Sequence, residues 1–213
     1  MSTIKRKLIS FEGGEGSGKS TQIPLLENYL RDRGENVLSL REPGHTYIGE
    51  KIRQLLQHDV HASDMFPETE LLLYEASRAQ LVRERILPAL AEGTWVICDR
   101  FFDSTTAYQG AARKLPLEDV QWLNHFTVQS CIPVLTFFFD LPPNIGQERA
   151  QRRSSRPYDR IENESLNFFQ AVREGYRRLA TDEARRFITI DAQRDPESIA
   201  QIIRKSVHEH FFS

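Results

Sequence analysis

The stretch "GGEGSGKS", Gly13 to Ser20, constrains this chain more than any other feature. It is a full GxxxxGK[ST] pattern, set directly after the apolar run "KLISFEG" and before an amphipathic segment. Bare backbone in that position lets successive amides point inward around a phosphate, and the helix that follows presents its positive end to the same anion. Side chains at the glycine positions would block the approach. On this reading Gly13, Gly14, Glu15, Gly16, Ser17, Gly18 and Thr21 form the cradle, Lys19 bridges the terminal phosphates, and Ser20 offers a hydroxyl to magnesium.

A phosphate loop of this kind needs a strand before it and a sheet around it. Apolar runs of strand length recur along the chain: "NVLSLREPG", "TWVICDR", "IPVLTFFFDLPP" and "RFITIDA". Their apolarity is continuous rather than alternating, which predicts burial on both faces and hence an α/β architecture of about five parallel strands flanked by helices. Ligands in such folds collect at the carboxyl ends of the strands. Those ends carry Glu12 with the glycine loop, Arg41 to Gly44, Asp99 and Arg100, Asp140, and Asp191 to Gln193. Within the expected first helix Pro24 removes a backbone donor and predicts a slight bend, with distortion near Ser20.

The 213 residues suit one sizeable core, and a formal charge of −2 gives no general pull toward nucleic acid or an anionic membrane. The basic start "MSTIKRKLISF" has too short an apolar run for a signal peptide, and no segment has membrane-spanning length. Cys98 and Cys131 lack metal or redox spacing and fit burial in a reducing cytosol. A signalling GTPase would carry a guanine-selective "NKxD" after a later strand, and none is present. What the chain carries instead is a second set of charged and aromatic residues suited to a smaller phosphate ester.

The segments "REPGHTYIGE", "LLLYEASRAQ", "DRFFDSTTAYQG" and "PYDRIENE", taken with "GGEGSGKST", resemble thymidylate kinase along nearly the whole chain. The resemblance implies a single nucleotide-kinase domain over 1–213 with the three-layer P-loop NTPase fold and a short lid at about 149–162. It implies transfer of the ATP γ-phosphoryl group to dTMP with Mg2+, in a cytoplasmic homodimer. Another nucleoside monophosphate or deoxynucleoside kinase, and a non-catalytic ATP-binding regulatory protein, are the alternatives.

Tyr74 and Arg78 stand four apart and so project from one side of a helix, away from an expected apolar stripe through Leu72, Ala76, Ala79, Val82 and Ile86. In the family the residue matching Tyr74 stacks on thymine and the one matching Arg78 hydrogen-bonds the base. Phenylalanine is usual at Tyr74, so its hydroxyl needs a partner. Arg100 can grip a phosphate and Asp99 can hold the metal or its water. By resemblance Thr105 meets a base edge and Tyr108 packs where a ribose 2′-hydroxyl would project, with Ser104 and Gln109 beside them. Glu15 matches the acid that reaches the 3′-hydroxyl of dTMP, while Glu12 has either a structural or a magnesium-network role. Arg41 is positioned for phosphate and Glu42 for the metal-water network. His45 stands where the family has glycine and is expected to be exposed.

Some family members carry a catalytic arginine at the fourth loop position. Here that position is Gly16, so the lid must supply the cation, from Arg153, Arg156 or Arg160. Arg149 is expected to stack on adenine, with Ala192, Gln193 and Arg194 lining the other side of the purine.

Overall fold

The computed structural model describes residues 7–59, 62–153 and 159–212. Five strands, β1 (Leu8–Gly13), β2 (Val37–Arg41), β3 (Trp95–Asp99), β4 (Leu135–Asp140) and β5 (Phe187–Asp191), form one parallel sheet in the order β2-β3-β1-β4-β5. Each expected apolar run supplies one strand. The reason lies in how the side chains divide: Phe137 and Phe139 of β4 enter the core on one face, while Phe138 between them enters the core on the other.

On the first face α1 (Lys19–Arg31) contributes Ile23, Leu26 and Leu30, packed with residues of the carboxyl-terminal helix. The second face is covered by a long segment that begins as α3 (Pro67–Leu81), passes through a π-helical turn at Val82–Ile86 and ends as α4 (Leu87–Ala91). Between β2 and α3 lies α2 (Tyr47–Gln57), whose N-cap Thr46 accepts from the Gly49 amide at 2.9 Å. After β3 the chain forms the short α5 (Phe102–Thr105), a second π-helical turn over Thr106–Ala112, and α6 (Leu117–Val128). Two helices, α7 (Pro143–Arg153) and α8 (Leu166–Asp182), bracket the expected lid, and α9 (Pro196–Phe211) closes the first face. No helix among the described residues is long and apolar enough to cross a membrane.

Helix α1 continues through Pro24; the donor that proline lacks would have bonded the first turn, where the helix leaves the phosphate loop. The apolar stripe expected along the segment from α3 to α4 is buried at its end, at Val82 and Ile86, but not at its start. Leu72 and Ala76 are exposed, whereas Leu71, Glu75, Ser77, Arg78 and Leu81 are buried. Three charged residues, Glu70, Glu75 and Arg78, occupy the inner face because each is paired with opposite charge there, as the site geometry shows.

Candidate active site

Strand β1 is central, so its carboxyl end lies between those of β3 and β4, and the glycine loop emerges at this junction. Gly16 and Gly18 both take positive φ, 67° and 99°, which lets the chain turn tightly into α1. The Lys19 ammonium is buried and donates to the carbonyls of Gly13 (3.1 Å) and Gly14 (3.0 Å) and to Ser17 Oγ (3.3 Å). Burial, then the charge of Arg100, holds its pKa below the ordinary lysine value. Ser20 and Thr21 are exposed at the start of α1.

The loop is also braced from outside. An added Cβ at Gly16 would lie 2.3 Å from the Gly146 carbonyl oxygen of α7, and one at Gly146 would lie 2.5 Å from that of Glu15. An arginine at position 16 would therefore need α7 to stand elsewhere.

Past the end of β3, Arg100 adopts φ 68° and turns its guanidinium back toward the loop. It donates to Gly13 O at 2.8 Å and to Glu15 Oε1 at 2.7 Å, and lies 5.2 Å over the Tyr108 ring. Glu12 is fully buried, accepts from the Phe101 amide (2.7 Å), and lies within hydrogen-bond distance of Ser104 Oγ (2.6 Å) and the Tyr176 hydroxyl of α8 (2.9 Å). Burial, then the charge of Asp103, pushes its carboxyl up to about 8.

A cleft of about 180 Å³ runs from Lys19, Ser20, Glu15 and Arg100 to Tyr74, Arg78, Thr105, Tyr108 and Gln109, and is bordered by Arg41, Glu42, Asp99 and Ser104. It thus gathers the expected acceptor residues, which come from β2, β3, α3 and the turn after α5. Arg41 donates to Glu50 at 3.0 Å and to the Pro43 carbonyl. His45 is half-buried, contrary to expectation, because its Nδ1 accepts from the Arg41 amide at 2.6 Å and closes the turn. Its φ of 61° is the conformation that glycine would adopt without strain. Burial and the charge of Arg41 lower its pKa.

The far wall is a set of buried ion pairs. Arg78 directs Nε (2.8 Å) and NH2 (2.7 Å) to Glu42 Oε2, NH1 to Glu75 and to Thr105 Oγ1 (2.9 Å), and NH2 to Phe101 O (3.4 Å). Four of the five N–H groups of the guanidinium are thus hydrogen-bonded within the protein, and a bond from Arg78 to a base, as expected from the resemblance, would have to come from the remaining one, on NH2 beside Glu42, or displace a bond. Glu42 Oε1 is buried without a hydrogen-bond partner, and burial pushes this carboxyl up to about 7 despite Arg78.

Glu70, which the sequence reading did not single out, organises the next layer. It accepts from Gln109 (2.7 Å), from Arg113 (3.0 and 3.1 Å) and from Arg160 (2.5 Å). Burial alone would raise its pKa, but bonds from Arg113 and Gln109 hold it below the usual carboxylate value. Arg160 also donates to Leu56 O at 3.0 Å, so it is fastened to α2 and α3 rather than standing free over the loop. Of the other lid candidates, Arg156 and the Arg153 side chain lie outside the described residues.

From α7, Arg149 donates to Ala192 O at 2.9 Å, which brings the expected purine-binding residues together. The Gln193 and Arg194 amides are turned onto Asp191. A three-residue cluster of His, Cys, Asp or Glu able to hold a metal is absent among the described residues. The donor set at Ser20, Asp99 and the orphaned Glu42 Oε1 still fits Mg2+, a cation that keeps most of its water and takes its other ligands from phosphate.

A family model described as thymidylate kinase matches residues 11–203. The chain is 45% identical over 207 residues to a thymidylate kinase of Caldanaerobacter subterraneus subsp. tengcongensis, covering 97% of each chain. It is 50% identical over 189 residues to one from Desulfosudis oleivorans, covering 86% of this chain and 88% of that one. A Geobacillus thymidylate kinase is 43% identical over 196 residues, covering 92% and 93%.

Proposed function

The chain belongs to the thymidylate kinase family and phosphorylates dTMP to dTDP with ATP as donor, and from that premise we propose which residues perform the transfer. The observation that carries the assignment is the continuous cleft joining Lys19 to Arg100 and then to Tyr74 and Tyr108. ATP phosphates occupy the loop of Gly13 to Thr21, where Lys19 exchanges its carbonyl partners for the β- and γ-phosphates. The purine lies between Arg149 and the segment Ala192 to Arg194.

The dTMP phosphate meets Arg100 and Arg41. Tyr74 stacks on thymine, and Thr105, which accepts from Arg78, keeps its own hydrogen to donate to the base. Gln109 and Ser104 complete the wall. Glu15 receives the 3′-hydroxyl and Tyr108 fills the space of a 2′-hydroxyl. An oxygen of the dTMP phosphate attacks Pγ as the bond from Pγ to the β-bridging oxygen breaks, giving dTDP and ADP. An acceptor already anionic needs no strong base, so the protein's task is alignment and charge. Ser20, Asp99 and Glu42 would hold Mg2+, which would supply positive charge to the transferring phosphates. A lid arginine, Arg153, Arg156 or Arg160, stabilises the equatorial oxygens in the transition state.

The same reading extends to assembly. Tyr47, Ile48 and Leu55 of α2, Phe66 and Leu72 at α3, and Trp122 and Phe126 of α6 are exposed on neighbouring helices. An apolar surface of that extent supports a homodimer, and the buried thiols of Cys98 and Cys131 support residence in the cytoplasm. The chain is one kinase domain acting on small molecules, without nucleic acid or membrane partners. A coupled ADP-release assay with ATP, Mg2+ and each nucleoside monophosphate tests the site. Strong preference for dTMP and loss of turnover on chelating Mg2+ are expected; comparable turnover of another monophosphate would overturn the base-site assignment.

A further inference from the structure

Three oxygen atoms meet in the buried space behind Arg100. Ser104 Oγ is 2.6 Å from Glu12 Oε2 and 2.7 Å from the Tyr176 hydroxyl, which is itself 2.9 Å from Glu12 Oε2. Each edge of this triangle is of hydrogen-bond length, so the three edges need three protons. Serine and tyrosine supply two. If Glu12 were ionised, both hydroxyls would point at its carboxylate and the 2.7 Å edge would set lone pair against lone pair. A proton on Oε2 completes a closed circuit: Glu12 donates to Ser104, Ser104 to Tyr176, and Tyr176 back to Glu12. The other carboxyl oxygen then serves as the carbonyl acceptor for the Phe101 amide at 2.7 Å.

We infer that Glu12 is protonated in the resting enzyme and that its ring with Ser104 and Tyr176 positions Arg100 for the acceptor phosphate. The ring acts on Arg100 through the backbone and the side chain together. Arg100 has a left-handed φ of 68°, and the amides on either side of its Cα are tied to β1, Arg100 N to Phe11 O (3.0 Å) and Phe101 N to Glu12. Its guanidinium NH1 also approaches Ser104 Oγ and the Tyr176 hydroxyl, each at 3.5 Å. Neither Glu12 nor Tyr176 needs to touch substrate.

Burial favours the neutral acid, in agreement with the proton count. The charged and titratable groups around Glu12 are Asp103, itself paired with Arg186, together with Arg100, Lys19, Tyr108, Tyr176 and Cys98. Ionisation of Glu12 would place a negative charge beside the arginine that receives a phosphate dianion. Binding and proton affinity are then linked: dTMP raises the pKa of Glu12, and loss of that proton weakens dTMP by the same factor.

The inference rests on the proposed role of Arg100, so its test separates the two. Carbon-13 spectra of glutamate carboxyls in the whole enzyme should show one carboxyl, absent in Glu12→Gln, that stays protonated to about pH 8; an ionised Glu12 at pH 6 would overturn the proposal. Calorimetry of dTMP alone between pH 7 and 9, above the second phosphate ionisation near 6, should show affinity weakening about fivefold if dTMP raises the Glu12 pKa by one unit from about 8. In Glu12→Gln that weakening should vanish; its persistence would move the effect to another group. Tyr176→Phe keeps the ring stacked 5.2 Å from Phe138 but opens the circuit. It should raise the KM for dTMP about fivefold and leave that for ATP unchanged, and an equal rise in both would reduce Tyr176 to a packing residue. Separately, unchanged dTMP affinity in Arg100→Ala would remove Arg100 from the phosphate site while leaving the carboxyl spectrum as evidence on the ring.

Discussion

The two ends of the acceptor cleft are both rich in cations but are built differently. At the loop end Lys19 and Arg100 rest on main-chain carbonyls and on the half-exposed Glu15, partners that a phosphate can replace. At the far end Arg78 is enclosed by the buried carboxylates of Glu42 and Glu75. A charge held by neutral dipoles is prepared for a ligand, whereas a charge neutralised by its own chain is part of the scaffold. Substitutions at the first end should cost activity, and at the second, stability.

Lys19→Ala gives the largest effect expected from this contrast. Turnover should fall by about four orders of magnitude with a nearly unchanged melting temperature; near-normal turnover in a folded variant would remove the loop from catalysis. Arg78→Ala should do the reverse, destabilising the fold by about 3–5 kcal/mol because two buried carboxylates lose their partner. A denaturant midpoint close to wild type would break the comparison at its far end.

Arg160 sharpens the contrast because it belongs to the scaffold in this structure and to the reaction in the proposed function. Arg160→Ala should lower turnover about 100-fold with little change in dTMP affinity if it is the lid cation. Loss of stability without loss of turnover would place it with Arg78 and transfer the role to Arg153 or Arg156. The smallest effect is expected at Tyr108, which lies between the two ends. Tyr108→Val should relax the preference for dTMP over ribothymidylate roughly tenfold, measured as a ratio of kcat/KM values.

The same contrast explains what could be read from the sequence. The loop end is local: Gly13 to Ser20 is one contiguous motif at a strand end, and its cation sits inside it. The five strands were equally legible, because burial on both faces leaves unbroken apolar runs. At the far end the partners are remote in sequence. Glu42 and Arg78 are 36 residues apart and Glu70 and Arg160 are 90, and behind the loop itself Glu12 and Tyr176 are 164. Periodicity on α3 puts Leu72 and Ala76 on the apolar side and Arg78 with Tyr74 toward a ligand, and it says nothing of Glu75, since a buried ion pair reads like a solvated face until its partners are known. His45 reads as a surface residue for a similar reason, its bond to the Arg41 amide being a property of the folded turn.

The contact of Gly16 with Gly146 bears on how such an enzyme can change over generations. An arginine at position 16 cannot arrive by one substitution, since even a methyl group there meets the α7 backbone at 2.3 Å. Position 146 is closed from the other side in the same way, at 2.5 Å from Glu15 O. A lineage starting from this chain would first have to re-seat α7, the helix that leads into the lid, before a loop arginine had room. If the lid supplies the transition-state cation as proposed, moving it to the loop is then a journey with an unfavourable intermediate, and each arrangement tends to be inherited whole.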